Sequence, residues 1–124
     1  LVDTIFAGVK CPKALHVCGY VGSIFQGLVE LNVDILDHEF AAHPELLDLI
    51  AQVDFPQTIG FGCVRSDVNT AESVPEILER VKKGIDSIGN CKMMLDPDCG
   101  LRHLSPEVAR EKLRNMVKAK EEFQ

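Results

Sequence analysis

Short apolar runs and amphipathic helical stretches alternate four times along this chain, and few folds accept that pattern. "KALHVC" (13–18) reads as a strand. "GSIFQGLVELN" (22–32) places Ile24, Phe25, Leu28, Val29 and Leu31 on one helical face. "VDILDHEF" (33–40) is the next strand, and "HPELLDLIAQV" follows with Pro44 at a first helical position and Leu46, Leu47, Ile50 and Ala51 at helical spacing. "QTIGFGCV" (57–64) is the third strand. In "SVPEILERVKKGIDSIGN" Ser73 and Glu76 form a capping box, and Val74, Ile77, Leu78, Val81, Ile85 and Ile88 make an apolar stripe that Gly89-Asn90 ends. "KMMLDPD" (92–98) is the fourth strand. Ser105-Pro106-Glu107 opens a last helix with Ala109, Leu113, Met116, Val117 and Lys120 on one face, the Lys120 ammonium reaching water near its end.

Apolar strands separated by helices pair in parallel and need helices as cover, so the fold class is α/β with four parallel strands alternating with helices. Two architectures satisfy this: an open doubly wound sheet, or half of a (β/α)₈ barrel. A full barrel takes ~250 residues. The 124 residues here hold four units with no linker and no extra edge strand, so 1–124 reads as a single region. The net charge of −6 disfavours nucleic acid and anionic membrane surfaces as partners. No apolar run approaches the ~18 residues of a membrane span, and "LVDTIFAGVK" lacks the pattern of a signal peptide. Starting at Leu1 rather than Met, the chain reads as a fragment or a processed piece. Cysteines at 11, 18, 63, 91 and 99 are odd in number, which argues against a disulfide framework and for a reduced, cytoplasmic protein.

In both architectures chemistry sits at the carboxyl ends of the strands, and the unusual residues gather there. His16 and Cys18 share a face of the first strand; Glu39 shares a face with Asp37 at the end of the second, while His38 turns toward the helices. "MMLDPDCGL" (93–101) ends the fourth strand in Asp98-Cys99, and Cys63, Arg65 and Asp67 surround the exit of the third. A nitrogen, two sulfurs and a carboxylate from His16, Cys18, Cys99 and Glu39 make a zinc set. Two thiolates and a carboxylate outweigh the ion's charge, which makes a poor activator of water but a good holder of a substrate thiolate. The same residues admit plainer roles. H-x-C occurs in ordinary cores, Glu39 could cap the next helix or pair with a lysine, and Asp98 could satisfy backbone donors in a tight turn. Cys11 and Cys91 read as ordinary small residues, Cys63 as core, His43 and His103 as loop residues, and "KAKEEFQ" as a solvated helix face.

"LHVCG", "VDILDHEF", "IGFGCV…ESVPEI" and "LDPDCGL", in this order, resemble the C-terminal catalytic part of cobalamin-independent methionine synthase, above all its short archaeal core relatives. The resemblance implies the C-terminal half of a (β/α)₈ (TIM) barrel, with the zinc ligands falling on His16, Cys18, Glu39 and Cys99. It implies transfer of a methyl group to the thiolate of homocysteine held on zinc, giving methionine, with Asp98 orienting the turn or a ligand. Folate-using members carry Asp-Ile-His-Ser-Pro after the third of these strands, and its His protonates the folate leaving group. Here the stretch is Arg65-Ser66-Asp67-Val68-Asn69, so Asp67 takes the proton-donor position. A carboxylate is a poor proton donor at neutral pH, which favours a methyl-corrinoid (methylcobalamin or a corrinoid protein) over methyltetrahydrofolate as donor. The family's groups for the amino acid end of homocysteine lie in the other barrel half, so the expected partner is that half or a second copy of the chain. Other readings are a related zinc thiol-alkyltransferase acting on a thiol such as coenzyme M, and a non-catalytic zinc-binding half-barrel used in assembly.

Overall fold

The structure is a computed structural model that describes residues 1–89 and 92–123. The helix stop at Asn90 and the reading of Cys91 lie outside the described residues. The elements are α1 (Val2–Ile5), β1 (Ala14–Val17), α2 (Phe25–Val29), β2 (Ile35–His38), α3 (Leu46–Ile50), β3 (Thr58–Val64), α4 (Val74–Ile88), β4 (Met93–Pro97) and α5 (Pro106–Glu122). The four strands form one parallel sheet in the order β1-β2-β3-β4.

That order decides between the two architectures. Parallel crossovers are right-handed, so strands added always in the same direction place every connecting helix on the same face. A doubly wound sheet must instead reverse direction to gain its second helix layer. Accordingly Leu36, His38, Ile59, Phe61 and Cys63 point to one face and are buried, whereas Ala14, His16 and Met94 on the other face are exposed. One helix-covered face and one open face is consistent with half of a (β/α)₈ barrel. The core gathers on the covered side, where Phe40 and Phe61 stack at 4.6 Å among Phe25, Leu36, Leu46, Ile50, Ile59, Ile77 and Val81. Gly84 brings α4 close to the sheet: a Cβ there would lie 2.8 Å from the Phe61 ring.

Several boundaries differ from expectation. The first turn of helix at α1 has no counterpart in the sequence pattern, though Val2 and Phe6 pack against the core. α2 and α3 each have five residues, shorter than their apolar periodicity implies. Pro44 precedes the cap residue Glu45 rather than opening α3, and Ile24 and Ala51 are exposed. Ile85 in α4 is also largely exposed. α5 is rotated from the expected stripe: Lys112 and Ala119 are buried, whereas Leu113 and Val117 face out. Consecutive helical residues lie roughly 100° apart, so burying Lys112 turns Leu113 away from the core.

α4 begins as the sequence predicts. The Ser73 side chain accepts from the Glu76 amide, and the Glu76 carboxylate accepts from the Ser73 amide at 2.7 Å. Ser73→Ala should lower the unfolding free energy by about 1 kcal/mol in urea titration; an unchanged midpoint would show that the cap contributes nothing. Among the described residues no helix is long and apolar enough to cross a membrane.

Candidate metal centre

The carboxyl ends of β1, β2 and β4 bring together four side chains remote in sequence. His16 and Cys18 leave β1 on the open face, Glu39 directly follows β2, and Cys99 follows β4 by two residues. The candidate ligand atoms of His16, Cys18, Glu39 and Cys99 all lie within 4.8 Å of one another. His16 Nε2 is 3.2 Å from Cys18 Sγ, which is 3.5 Å from Cys99 Sγ. Donors around a tetrahedral zinc lie ~3.3–3.8 Å apart, so the set fits that ion with small adjustment. Gly19, at φ 76°, lets the chain turn away immediately after Cys18. His38 is excluded by strand parity: it is buried on the helix side, edge-on to Phe25 and Phe40, and burial lowers its pKa.

The electrostatics favour one ionised sulfur. Hydrogen bonding with Cys99 is the main cause that pushes the Cys18 thiol up to about 11, while the same contact lowers Cys99. The contact between the two sulfurs thus makes the Cys99 thiol the easier of the pair to ionise. Burial lowers the His16 pKa most strongly, but the hydrogen bonds and negative charge of Asp37 and Cys99 together outweigh it, and the net shift is upward. That bond joins His16 Nδ1 to Asp37 Oδ2 at 2.7 Å.

Asp98 is almost fully buried, and burial pushes its carboxyl up to about 7. Its Oδ1 accepts from the Ala41 amide at 2.9 Å. This bond ties the loop after Glu39 to the turn that carries Cys99. Gly62 makes room for it, since a Cβ there would stand 2.4 Å from Asp98 Oδ1 and 2.7 Å from the His38 carbonyl oxygen. Asp67 is not among the converging groups. Arg65 donates to its two oxygens at 2.8 and 2.6 Å on an exposed loop, and this pairing holds its carboxyl below the usual range.

The sequence matches the family described as "Cobalamin-independent synthase, Catalytic domain" over residues 1–122. The chain belongs to that family. It is 40% identical to the methionine synthase of Methanothermobacter thermautotrophicus, over 95% of this chain and 39% of that protein. It is 40% identical to the methionine synthase of Methanocaldococcus jannaschii, over 95% of this chain and 41% of that protein. Among solved structures it resembles a B12-independent methionine synthase from Shewanella sp. W3-18-1 in complex with selenomethionine. The TM-score is 0.78 at 25% identity, covering 97% of this chain and 40% of that one. The chain therefore spans about two fifths of the length of these curated relatives.

Within this cobalamin-independent synthase domain, several polar contacts escape a reading of the sequence alone. Asp37 is one; its only signal is that it shares a strand face with Glu39. Asp96 is another, half-buried on β4, where loss of solvent and then Asp37 push it up to about 8. His43 is a loop residue, as expected, but its Nε2 lies 3.9 Å from Glu39 Oε2. His103, also in a loop, accepts from Arg102 Nε at 3.0 Å. Cys63 is core, as expected, and burial raises its thiol to about 12; Cys11 is exposed. In metal-free protein at neutral pH, iodoacetamide should therefore label Cys11 and Cys99 before Cys18, and Cys63 only after denaturation. Mass spectrometry of timed digests checks the order, and rapid labelling of native Cys63 would contradict its burial.

Proposed function

We propose that residues 1–124 form the C-terminal, zinc-holding half of a (β/α)₈ barrel that methylates the sulfur of homocysteine to yield methionine. The observation that carries this reading is the clustering of His16, Cys18, Glu39 and Cys99 within 4.8 Å at the carboxyl end of the sheet. A nitrogen, two sulfurs and an oxygen are a donor set that suits zinc. Zinc bound there would keep an incoming thiol deprotonated at neutral pH, where a free thiol of pKa ~8.5 is mostly protonated.

The chain's own groups supply placement. Asp98 holds the Cys99 turn against the loop after Glu39, as a positioning residue. Methyl transfer in line needs the donor opposite the sulfur, so much of the rate comes from such placement. Among the described residues, β1 and β4 each have one edge without a paired strand, and Met94, Leu113 and Val117 leave apolar surface exposed. The N-terminal barrel half, or a second copy of the chain, would cover these edges and grip the amino acid end of homocysteine. The free sulfurs of Cys18 and Cys99, 3.5 Å apart, suit a reducing compartment such as the cytoplasm.

For the methyl donor the pairing of Asp67 with Arg65 is informative. A carboxylate held ionised by a guanidinium has no proton to give a folate leaving group. A methyl-corrinoid needs none and is the preferred donor. The test is a methyl-transfer assay of the full-length protein with homocysteine or coenzyme M, against methylcobalamin or methyltetrahydrofolate. Methionine from homocysteine, formed faster with methylcobalamin, is expected. Equal rates with methyltetrahydrofolate would overturn the donor assignment. Methylation of coenzyme M alone would overturn the acceptor, and no transfer from zinc-loaded protein would leave the assembly role.

A further inference from the structure

His16 can serve the cluster only if its ring presents Nε2 with a free lone pair. An imidazole has two nitrogens, and a ring free to flip or to change tautomer would offer the wrong one part of the time. The sheet removes that freedom. His16 on β1 and Asp37 on β2 are register partners, so both side chains leave the same face side by side. Asp37 Oδ2 lies 2.7 Å from His16 Nδ1, which leaves Nε2 pointing at Cys18 Sγ.

The next strand is shaped around this carboxylate. Asp37 is in register with Gly60 of β3. A Cβ at position 60 would come within 2.6 Å of Asp37 Cβ and 2.9 Å of both its Cα and its Cγ. Because the first of those atoms lie on or next to the backbone, a side chain at 60 would displace Asp37 itself. On its far side Asp37 meets Asp96 of β4, close enough for the two carboxyl groups to share a hydrogen bond.

We infer that Asp37, in the space left by Gly60, is a positioning residue that fixes the tautomer and ring orientation of His16, so that Nε2 faces the metal site. This rests on the zinc reading above. Groups in this position change metal affinity by about 10–100-fold.

The test uses the full-length protein and measures zinc affinity by chelator competition, with the absorption spectrum of the cobalt-substituted protein as a second readout. Asp37→Ala and Asp37→Leu cannot accept the bond, whereas Asp37→Asn still can through its side-chain oxygen. Ala and Leu should weaken zinc binding by about 10–100-fold and alter the cobalt spectrum, and Asn should stay within about tenfold of wild type with its spectrum retained. The thermal transition of the metal-free protein should not fall in any of them, which a purely structural role would not allow. Should one of the two non-accepting variants fail to fold, the other carries the comparison. Wild-type affinity in Ala or Leu, or equal losses in Leu and Asn, would overturn the inference. Failure of the zinc reading looks different: wild-type protein would then hold no zinc at all.

Discussion

Cys99→Ser is expected to reduce bound zinc from one equivalent per chain to a small fraction after dialysis, while the protein stays folded. Cys99 supplies one of the two sulfur donors of the set, 3.5 Å from Cys18 Sγ. A serine hydroxyl at the same place is shorter, harder and protonated at any neutral pH, and three donors hold zinc far less well than four. The effect on catalysis can be bounded from below. A free thiol of pKa ~8.5 is roughly 3% ionised at pH 7, so losing the ion removes about 30-fold in reactive thiolate before any loss of placement is counted. Metal analysis and methionine formation, measured on the same preparation, check both numbers. A variant that kept stoichiometric zinc would remove Cys99 from the ligand set.

Lys112→Ala is expected to destabilise the fold by about 3 kcal/mol, measured by urea titration. Lys112 on α5 has no exposed surface, and its Nζ donates to Glu72 Oε2 at 2.7 Å. Glu72 lies in the loop between β3 and α4, and its other oxygen accepts from the Arg65 amide at 2.7 Å. Asn115 of α5 donates to the Glu72 carbonyl oxygen at 2.8 Å, and Arg80 donates to the Cys63 carbonyl oxygen from α4. Arg80 also lies 3.9 Å from Glu72 Oε1, so the loop is tied to the end of β3, to α4 and to α5 at once. Removing the ammonium leaves a mostly buried carboxylate with only the Arg65 amide and the more distant Arg80 guanidinium at 3.9 Å, and that under-compensated charge dominates the cost. The double change Lys112→Met with Glu72→Gln removes both charges and should recover most of the loss, to within about 1 kcal/mol of wild type. If the double variant were no better than Lys112→Ala, side-chain packing rather than charge would explain the effect.

These two sites show where reading the chain succeeds and where it stops. His16, Cys18 and Glu39 were legible because strand parity is local: alternate residues share a face whatever the strand packs against. Cys99 was legible as the thiol at the abrupt end of the fourth apolar run, in Asp-Pro-Asp-Cys-Gly. Asp37 was seen only as a residue sharing a face with Glu39. Its partnership with His16 needs the lateral alignment of β1 and β2, which neither strand contains. The glycines of "IGFGCV" read as strand residues, yet Gly60 and Gly62 are what admit Asp37 and Asp98 beside β3. Leu113 and Val117 looked like a core stripe, yet the helix turns Lys112 inward instead, because helical periodicity marks a stripe without saying which way it turns.

The amino-acid sequence alone determined the alternation of strands and helices, the capping box at Ser73, the parity of the strand-end residues and the donor types available for a metal. The tertiary structure alone decided that all the connecting helices lie on one face, which carboxylate sits behind His16, and how α5 rolls to bury Lys112 against Glu72. The first group depends on neighbours within one turn or one pleat. The second depends on contacts between segments tens of residues apart, whose relative register and rotation only the packed sheet can set.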